Sequence, residues 1–409
     1  MNLAQTLRVA VRALLRNKMR SFLTTLGVII GVGAVIAMVA IGEGAKAKVR
    51  DAFAAMGTNL LIVMSGSTRA GGVRGGFGSQ PTLTWADLDA IEHGTTGVQR
   101  AAPLLRITTS VVSEDQNWTT QVQGTTPAYF ELRSWPPRCG RALAASDVDA
   151  QTQTVLLGRT VADRLYGADS DPTGQSVRIN NVPFEVVGVL AAKGQAPTGQ
   201  DYDDGAFVPA TTFRTRLQRS LGNFLNGVIF VQAPTAAEIP PLQITLSALL
   251  RDRHQLDDSK DDDFSIRNLS EMASAQESGT KTLTTLLSSI AAVSLLVGGI
   301  GIMNIMLVSV TERTKEIGLR MAVGAKSHQI LEQFLAEAVA LSMIGGALGV
   351  GLGVGVAKTL ASRLGWPILI PPDVVLIALG FSTVVGVSFG LYPAQKAARL
   401  DPIRALRHE

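Results

Sequence analysis

Residues 21–42 read SFLTTLGVIIGVGAVIAMVAIG, an unbroken run of 22 uncharged residues between Arg20 and Glu43. As a helix rising about 1.5 Å per residue, this run reaches roughly 33 Å, enough to cross a hydrocarbon core of about 30 Å. It predicts a membrane span. Three further charge-free windows follow at 282–311, 338–357 and 374–395, and nothing comparable lies between 43 and 281. The chain therefore reads as four spans, one plus three, around a 239-residue insert. The apolar part of 21–42 is longer than the 7–15 residues usual for a secretory signal, so Ala45-Lys46-Ala47 is read past as a cleavage mimic and the segment as an anchor.

Charge gives the orientation. The chain carries 37 Lys+Arg against 33 Asp+Glu, net +4, unevenly spread: +5 on 1–20, −4 on 43–281, 0 on 312–337, +1 on 358–373 and +2 on 396–409. Basic residues gather on the cytoplasmic side of spans. Both termini are therefore expected in the cytoplasm of the cell (inner) membrane, with 312–337 beside them, and the insert and the 358–373 loop outside. Residues 1–20 carry Leu3, Leu7, Ala10 and Leu14 on one side and Arg8, Arg12 and Arg16 on another, as expected of a helix lying on the lipid surface. The low charge content, 17%, excludes disorder and a basic nucleic-acid binder.

The helices bordering the insert are expected to outrun the bilayer. Helix formers continue from Gly44 to Met56, with Gly57 as a cap, while Asn268 and Glu271 have capping-box spacing ahead of the second span. Together they predict a stalk, with Gly279 as its weak point. Gly27 and Gly31, and Gly345, Gly349 and Gly353, recur every four residues, so each set marks a stripe for close helix packing. Gly349 to Gly355 mimics a dinucleotide fingerprint but lies in an apolar run with no strand before it.

The insert reads as mixed α and β. Strands are expected at 59–64, 104–113, 119–124, 154–158, 176–179, 184–190, 227–232 and 264–267, and helices at 85–93, 159–166 and 239–252. Asn180-Asn181 predicts a hairpin turn, and the glycine-rich 66–81 a loop. Catalytic or metal-binding patterns do not emerge. His93, His254, His328 and His408 are isolated in sequence, Cys139 is the lone cysteine, and the acidic 257–263 run lacks the glycine and glutamate of a calcium loop. No cofactor or metal is expected. Lys326-Ser327 ends like a phosphate-binding loop, but Arg320 and Ala325 stand where its glycines belong. If ATP drives this chain, another polypeptide binds it.

Three stretches carry a resemblance: ALLRNKMRSFLTTLGVIIGV at 13–32, TERTKEIGLRMAVGA at 311–325 and YPAQKAARLDPIRAL at 392–406. With the one-plus-three layout, the chain resembles the MacB-type permeases of the superfamily that includes FtsX and the lipoprotein-releasing LolC and LolE. The resemblance implies a non-enzymatic permease subunit, paired with itself or a related permease and driven by a separate ABC ATPase. That ATPase would move the outer domains by mechanotransmission rather than pass substrate between the helices. A periplasmic adaptor and an outer-membrane channel are expected partners in export, alongside membrane lipids. The other readings are a receptor for peptides or envelope stress, a lipoprotein-release subunit, and an FtsX-like regulator of a cell-wall hydrolase. The match also places the ATPase contact on Glu312, Arg313, Lys315, Glu316, Ile317, Gly318, Arg320 and Gly324, where Glu312/Lys315 and Glu316/Arg320 have helical spacing.

Overall fold

The structure is a computed structural model describing residues 18–57, 59–66, 69–70, 73–74, 81–196, 199–257, 259–364 and 368–407. Most of the expected surface helix and of the glycine-rich loop lies outside the described residues. The chain forms two compact units, Met1–Lys48 with Glu277–Glu409, and Val49–Gln276.

Helix α1 covers Lys18–Ala55. Its chain leaves the helix through Gly57, whose φ of +108° suits glycine and where a Cβ would sit 2.6 Å from the Leu132 carbonyl. The insert then supplies β1 (Leu60–Ser65), α2 (Trp85–Gly94), β2 (Arg100–Val112), β3 (Asn117–Thr125), α3 (Pro127–Leu132), β4 (Pro137–Gly140), α4 (Ala145–Asp149), β5 (Thr154–Leu157) and α5 (Arg159–Tyr166). It continues with β6 (Ser176–Ile179), β7 (Val182–Leu190), β8 (Gly205–Pro209), β9 (Gly227–Gln232), α6 (Ile239–Arg253) and β10 (Phe264–Asn268).

The ten strands form one sheet in the order β10-β1-β9-β2-β3-β8-β5-β7-β4, and β6 pairs with both β2 and β7. That double pairing closes β2, β3, β8, β5, β7 and β6 into a ring, while β9, β1 and β10 extend it as an antiparallel wing. Only β8 on β3 and β5 on β7 run parallel. The β6–β7 turn has Asn180 and Asn181 at φ of +48° and +65°, the left-handed pair that a tight hairpin requires.

Alternation along the strands builds two cores. Leu61, Val63, Leu105, Ile229 and Val231 face one layer with α2, α5 and α6, and their neighbours Leu60, Leu104 and Phe230 face the other. The second layer is aromatic: Tyr129, Phe130, Trp135, Phe207 and Phe230 pack largely edge to face. Strands β4 and β8 were not expected from the sequence. Their PRCG and GAFVP strings are short and hold glycine and proline, and only pairing with β7, β3 and β5 fixes them.

Asn268 caps the next helix, its Oδ1 accepting from the Ser270 and Glu271 amides at 2.9 and 3.4 Å. Helix α7 (Leu269–Glu312) is unbroken through Gly279. It is followed by α8 (Thr314–Ala322), α9 (Ser327–Leu364), α10 (Pro372–Ala398) and α11 (Pro402–Arg407). The α9 helix continues to Leu364, beyond the expected end of its apolar window at Ala357.

Among the described residues, α1, α7, α9 and α10 are long and apolar enough to cross a membrane. Within this unit, Gly27 and Gly31 bring α1 onto α7: a Cβ at Gly27 would lie 2.8 Å from Gly298 Cα, and one at Gly31 2.9 Å from Leu295 Cα. The second stripe meets the same helix from α9. A Cβ at Gly345, Gly349 or Gly353 would lie 3.1 Å from Val28 Cβ, 2.8 Å from Val32 Cβ and 2.7 Å from the Gly33 carbonyl oxygen, respectively. Helix α1 is thus held between α7 and α9 by backbone approach rather than by large side chains. Beyond the apolar windows, Lys46 Nζ still pairs with Glu277 at 2.9 Å, and Gly42 admits Thr284.

Candidate coupling surface

The charged segment between the second and third apolar helices holds the short helix α8, which stands apart from α7 because α7 runs to Glu312 and Arg313 (φ −96°, ψ 10°) forms a joint before it. A Schellman closure ends α8: the Gly324 amide donates to Met321 O at 3.1 Å, the Ala325 amide to Arg320 O at 3.0 Å, and Gly324 takes φ of +106°.

Several of the expected contact residues face inward. Arg313 Nη1 donates to Glu337 Oε1 at 3.2 Å, where the Glu337 side chain is almost wholly enclosed by α9 and its neighbours. Ile317 is buried. Gly318 lies against α11, where a Cβ would be 2.7 Å from Ala405 Cβ. Arg320 spans the surface, donating from Nη2 to Glu316 Oε1 at 2.5 Å and from Nη1 to Gln333 Oε1 at 3.2 Å. These residues position α8 on the helix bundle. Lys315 and Glu316 remain exposed.

The outward face of α8 holds two residues that were not among the expected contacts. Leu319 is 58% exposed and Val323, just past the helix, 83%, with Lys315 one turn before Leu319. Their i, i+4 spacing within a charged segment was the available signal. Ile403 on α11 is also largely exposed. A short helix with a fixed inner face and bare apolar groups outside presents the kind of surface that a protein contact covers. Beside it, Met321, Ser327, His328, Leu331, Gln395, Ala398, Arg399 and Leu400 line a cleft of about 590 Å³.

The inserted domain has its own polar cluster. His254, isolated in sequence, lies between Asp263 (Nδ1 to Oδ1, 2.6 Å) and Asp87 (Nε2 to Oδ2, 3.2 Å), and Arg253 Nε donates to Asp87 at 2.6 Å. Asp87 also accepts the Thr84 amide at 2.8 Å, closing a capping box on α2. The bond to Asp87 holds the imidazole above its usual pKa against the opposing effect of burial, and Asp263 adds to it. Burial would raise Asp87, yet its bonds from His254, Thr84 and Arg253 keep it far below the carboxylate range. Within the acidic 257–263 run, Arg251 pairs with Asp262 and Lys260 with Asp257.

The surroundings of Cys139 disfavour its thiolate. Burial and the neighbouring Asp171 push its thiol up, and Arg138 and Arg141 pair with Asp169 and Asp147 instead. Among the described residues no group of three or more His, Cys, Asp or Glu side chains is arranged to hold a metal ion.

Comparison with known proteins agrees with this architecture. A family model described as MacB-like periplasmic core domain matches residues 21–249, and one described as FtsX-like permease C-terminal matches 288–402. The macrolide export ATP-binding/permease protein MacB of Bdellovibrio bacteriovorus is 41% identical over 399 residues, 97% of this chain and 61% of its own length. The protein of the same name from Azoarcus sp. is 43% identical over 410 residues, covering 100% of this chain and 60% of its own. The chain thus spans about three fifths of the length of these curated relatives. The periplasmic region of MacB from Actinobacillus actinomycetemcomitans superposes with a TM-score of 0.46 at 22% identity, covering 56% of this chain and 98% of that one. With the inserted domain and the helix bundle both accounted for, the chain belongs to the MacB-type family of ABC transporter permeases.

Proposed function

We propose that this chain is the moving part of an exporter whose ATP is bound and hydrolysed by a domain outside these 409 residues. Both termini lie in the cytoplasm and the inserted domain in the periplasm, in keeping with the five basic residues of 1–20 and the net −4 of the insert. Two copies work as a dimer. Closure of the ATP-binding domains pushes on α8, and α7 carries the displacement outward to the inserted domain. In a two-membrane cell that domain acts with a periplasmic adaptor and an outer-membrane channel. The relatives' description as macrolide exporters supports export as the direction and macrolide-like compounds as the first substrates to try.

The observation that carries this reading is the construction of α8, anchored inside by Arg313–Glu337 and Gly318–Ala405 and bare outside at Leu319 and Val323. The windows 21–42, 282–311, 338–357 and 374–395 hold no Asp, Glu, Lys or Arg from which an ion pathway could be built. The test is Ile317→Pro in the chain assembled with its ATP-binding partner. Membrane insertion and basal hydrolysis should persist while compound export and its stimulation of hydrolysis are lost. Unchanged export would refute the role given to α8.

A further inference from the structure

Two cations of the inserted domain lie together among aromatic rings just after α3. Arg133 is only 5% exposed. Its Nη1 donates to the Tyr129 hydroxyl at 2.6 Å, but Nε and Nη2, both shut off from solvent, have no hydrogen-bond partner among the described residues. The rings of Tyr129, Trp135 and Tyr202 stand around its Cζ, with centroids 5.4, 5.9 and 4.3 Å away. Lys193 shares this box: its Nζ donates to the Arg133 carbonyl oxygen and lies 5.2 Å from the Trp135 centroid.

Neither cation is ion-paired with a carboxylate among the described residues. Asp203 is near, but its oxygens accept the backbone amides of Lys193 and Gly194 at 2.8 and 2.9 Å. Burial, and then the Arg133 charge, push the Lys193 amine down to about 7, with Asp203 acting in the opposite direction. Aromatic faces soften the burial of a cation but offer no acceptor to an N–H, and a buried charge without a partner is costly.

The chemistry of the missing partner follows from which nitrogens are free. With Nη1 held by Tyr129, Nε and Nη2 remain as neighbours on one edge of the planar guanidinium, the edge that two oxygens of one carboxylate meet side-on. One full positive charge, a partly ionised amine and the nearby Asp203 call for a single negative charge rather than two. The Trp135 and Tyr202 rings suit an apolar body behind it. Lys193 and Tyr202 are partly exposed, whereas Arg133, Tyr129 and Trp135 are buried, so a ligand enters past the first two.

We propose that Arg133, Lys193, Trp135 and Tyr202 form a binding site for a small organic monocarboxylate with an apolar body, its oxygens on Arg133 Nε and Nη2 and Lys193 Nζ alongside. Leu132, the residue before Arg133, meets Gly57 at the end of α1, which places the ligand next to the point where that helix joins the domain. The inference does not depend on the export reading.

The probe is benzoate, with benzamide as its neutral counterpart and inorganic phosphate as a second anion, on the full chain in lipid discs at constant ionic strength. Acetic anhydride at pH 7 acetylates neutral amines, and mass spectrometry follows Lys193 against the exposed Lys260 as internal reference. A bound carboxylate holds Lys193 as the ammonium, so benzoate should slow its acetylation about threefold or more in a saturable way, while benzamide and phosphate leave it unchanged. Arg133→Lys keeps a cation but loses the two-nitrogen edge, and should abolish that protection. The wild-type comparison of benzoate with benzamide stands by itself where this variant does not fold. Absence of saturable protection by benzoate, or equal protection by benzamide, overturns the site. Equal protection by phosphate overturns the assignment to a carboxylate, and protection that survives Arg133→Lys in a folded protein overturns the role of the guanidinium edge.

Discussion

Gly349 and Gly351 lie two residues apart in the same glycine-rich turn of α9, and replacing each by alanine should move stability in opposite directions. A Cβ on Gly349 would stand 2.8 Å from Val32 Cβ and 2.9 Å from the Ile29 carbonyl oxygen, whereas one on Gly351 meets nothing within 4 Å. Carbon atoms in contact rest about 3.5–4.0 Å apart, so Gly349→Ala is short by roughly 0.7 Å or more against atoms fixed to the α1 backbone. They cannot swing aside as the tip of a long side chain would. Overpacking of this kind costs about 1–3 kcal/mol as α1 and α9 part. Gly351→Ala adds no contact and removes a residue that disfavours helix by about 0.5–1 kcal/mol. The two alanines should therefore differ by about 1.5–4 kcal/mol, more than a tenfold change in the folded-to-unfolded ratio. Thermal or denaturant unfolding of the purified chain in one detergent, followed through helical signal, measures the gap. Equal midpoints for the two variants, or a Gly351→Ala protein weaker than Gly349→Ala, would refute the account of α1 as a helix seated by glycine stripes.

Arg313→Gln leaves the enclosed Glu337 carboxylate without its cation and should destabilise the bundle by about 3 kcal/mol or more, read in the same unfolding assay. Gly318→Val should displace α11 from α8 and expose the tail to limited proteolysis at Arg404 while the inserted domain keeps its melting behaviour. The raised pKa of His254 gives stability that is complete below its unfolded value of about 6.5 and is lost as pH rises through the folded value. Melting temperature of the domain should therefore fall on the alkaline side of pH 6.5, and His254→Gln should flatten that slope. Thr84→Ala removes the α2 cap and should cost about 1 kcal/mol at every pH in that range.

The membrane helices were legible because a missing charge over twenty residues is a strong signal and lipid leaves few alternatives. The glycine stripes were legible as stripes, since i+4 spacing survives without coordinates. What they meet was not: that both sets close on α1 depends on the order in which α7 and α9 pack. In the inserted domain the β-branched runs showed themselves, but β4 and β8 depend on partners distant in sequence. His254 read as isolated because Asp87 lies 167 residues before it. The coupling segment was located through the resemblance to the MacB-type permeases, and its charges did not separate inner residues from outer ones. Arg313 and Gly318 turned out to serve the inner face, and Leu319 and Val323, the bare outer pair, are ordinary apolar residues whose i, i+4 spacing marks a stripe but does not say which side of the helix is covered.

The pairing of β1 with β10 has a consequence for how such a chain is built. Leu61 lies opposite Asn268, and the helix that returns to the bundle begins one residue later at Leu269. The domain is therefore entered and left on neighbouring strands, about 5 Å apart. To the helices on either side, some two hundred residues present the ends of a tight turn. Loop-closure entropy barely penalises length inserted behind such a clasp, so the domain can be lengthened, exchanged or grafted as a cassette without re-registering the spans. A chain organised in this way can change what lies behind the clasp while the packing of its membrane helices stays as it is.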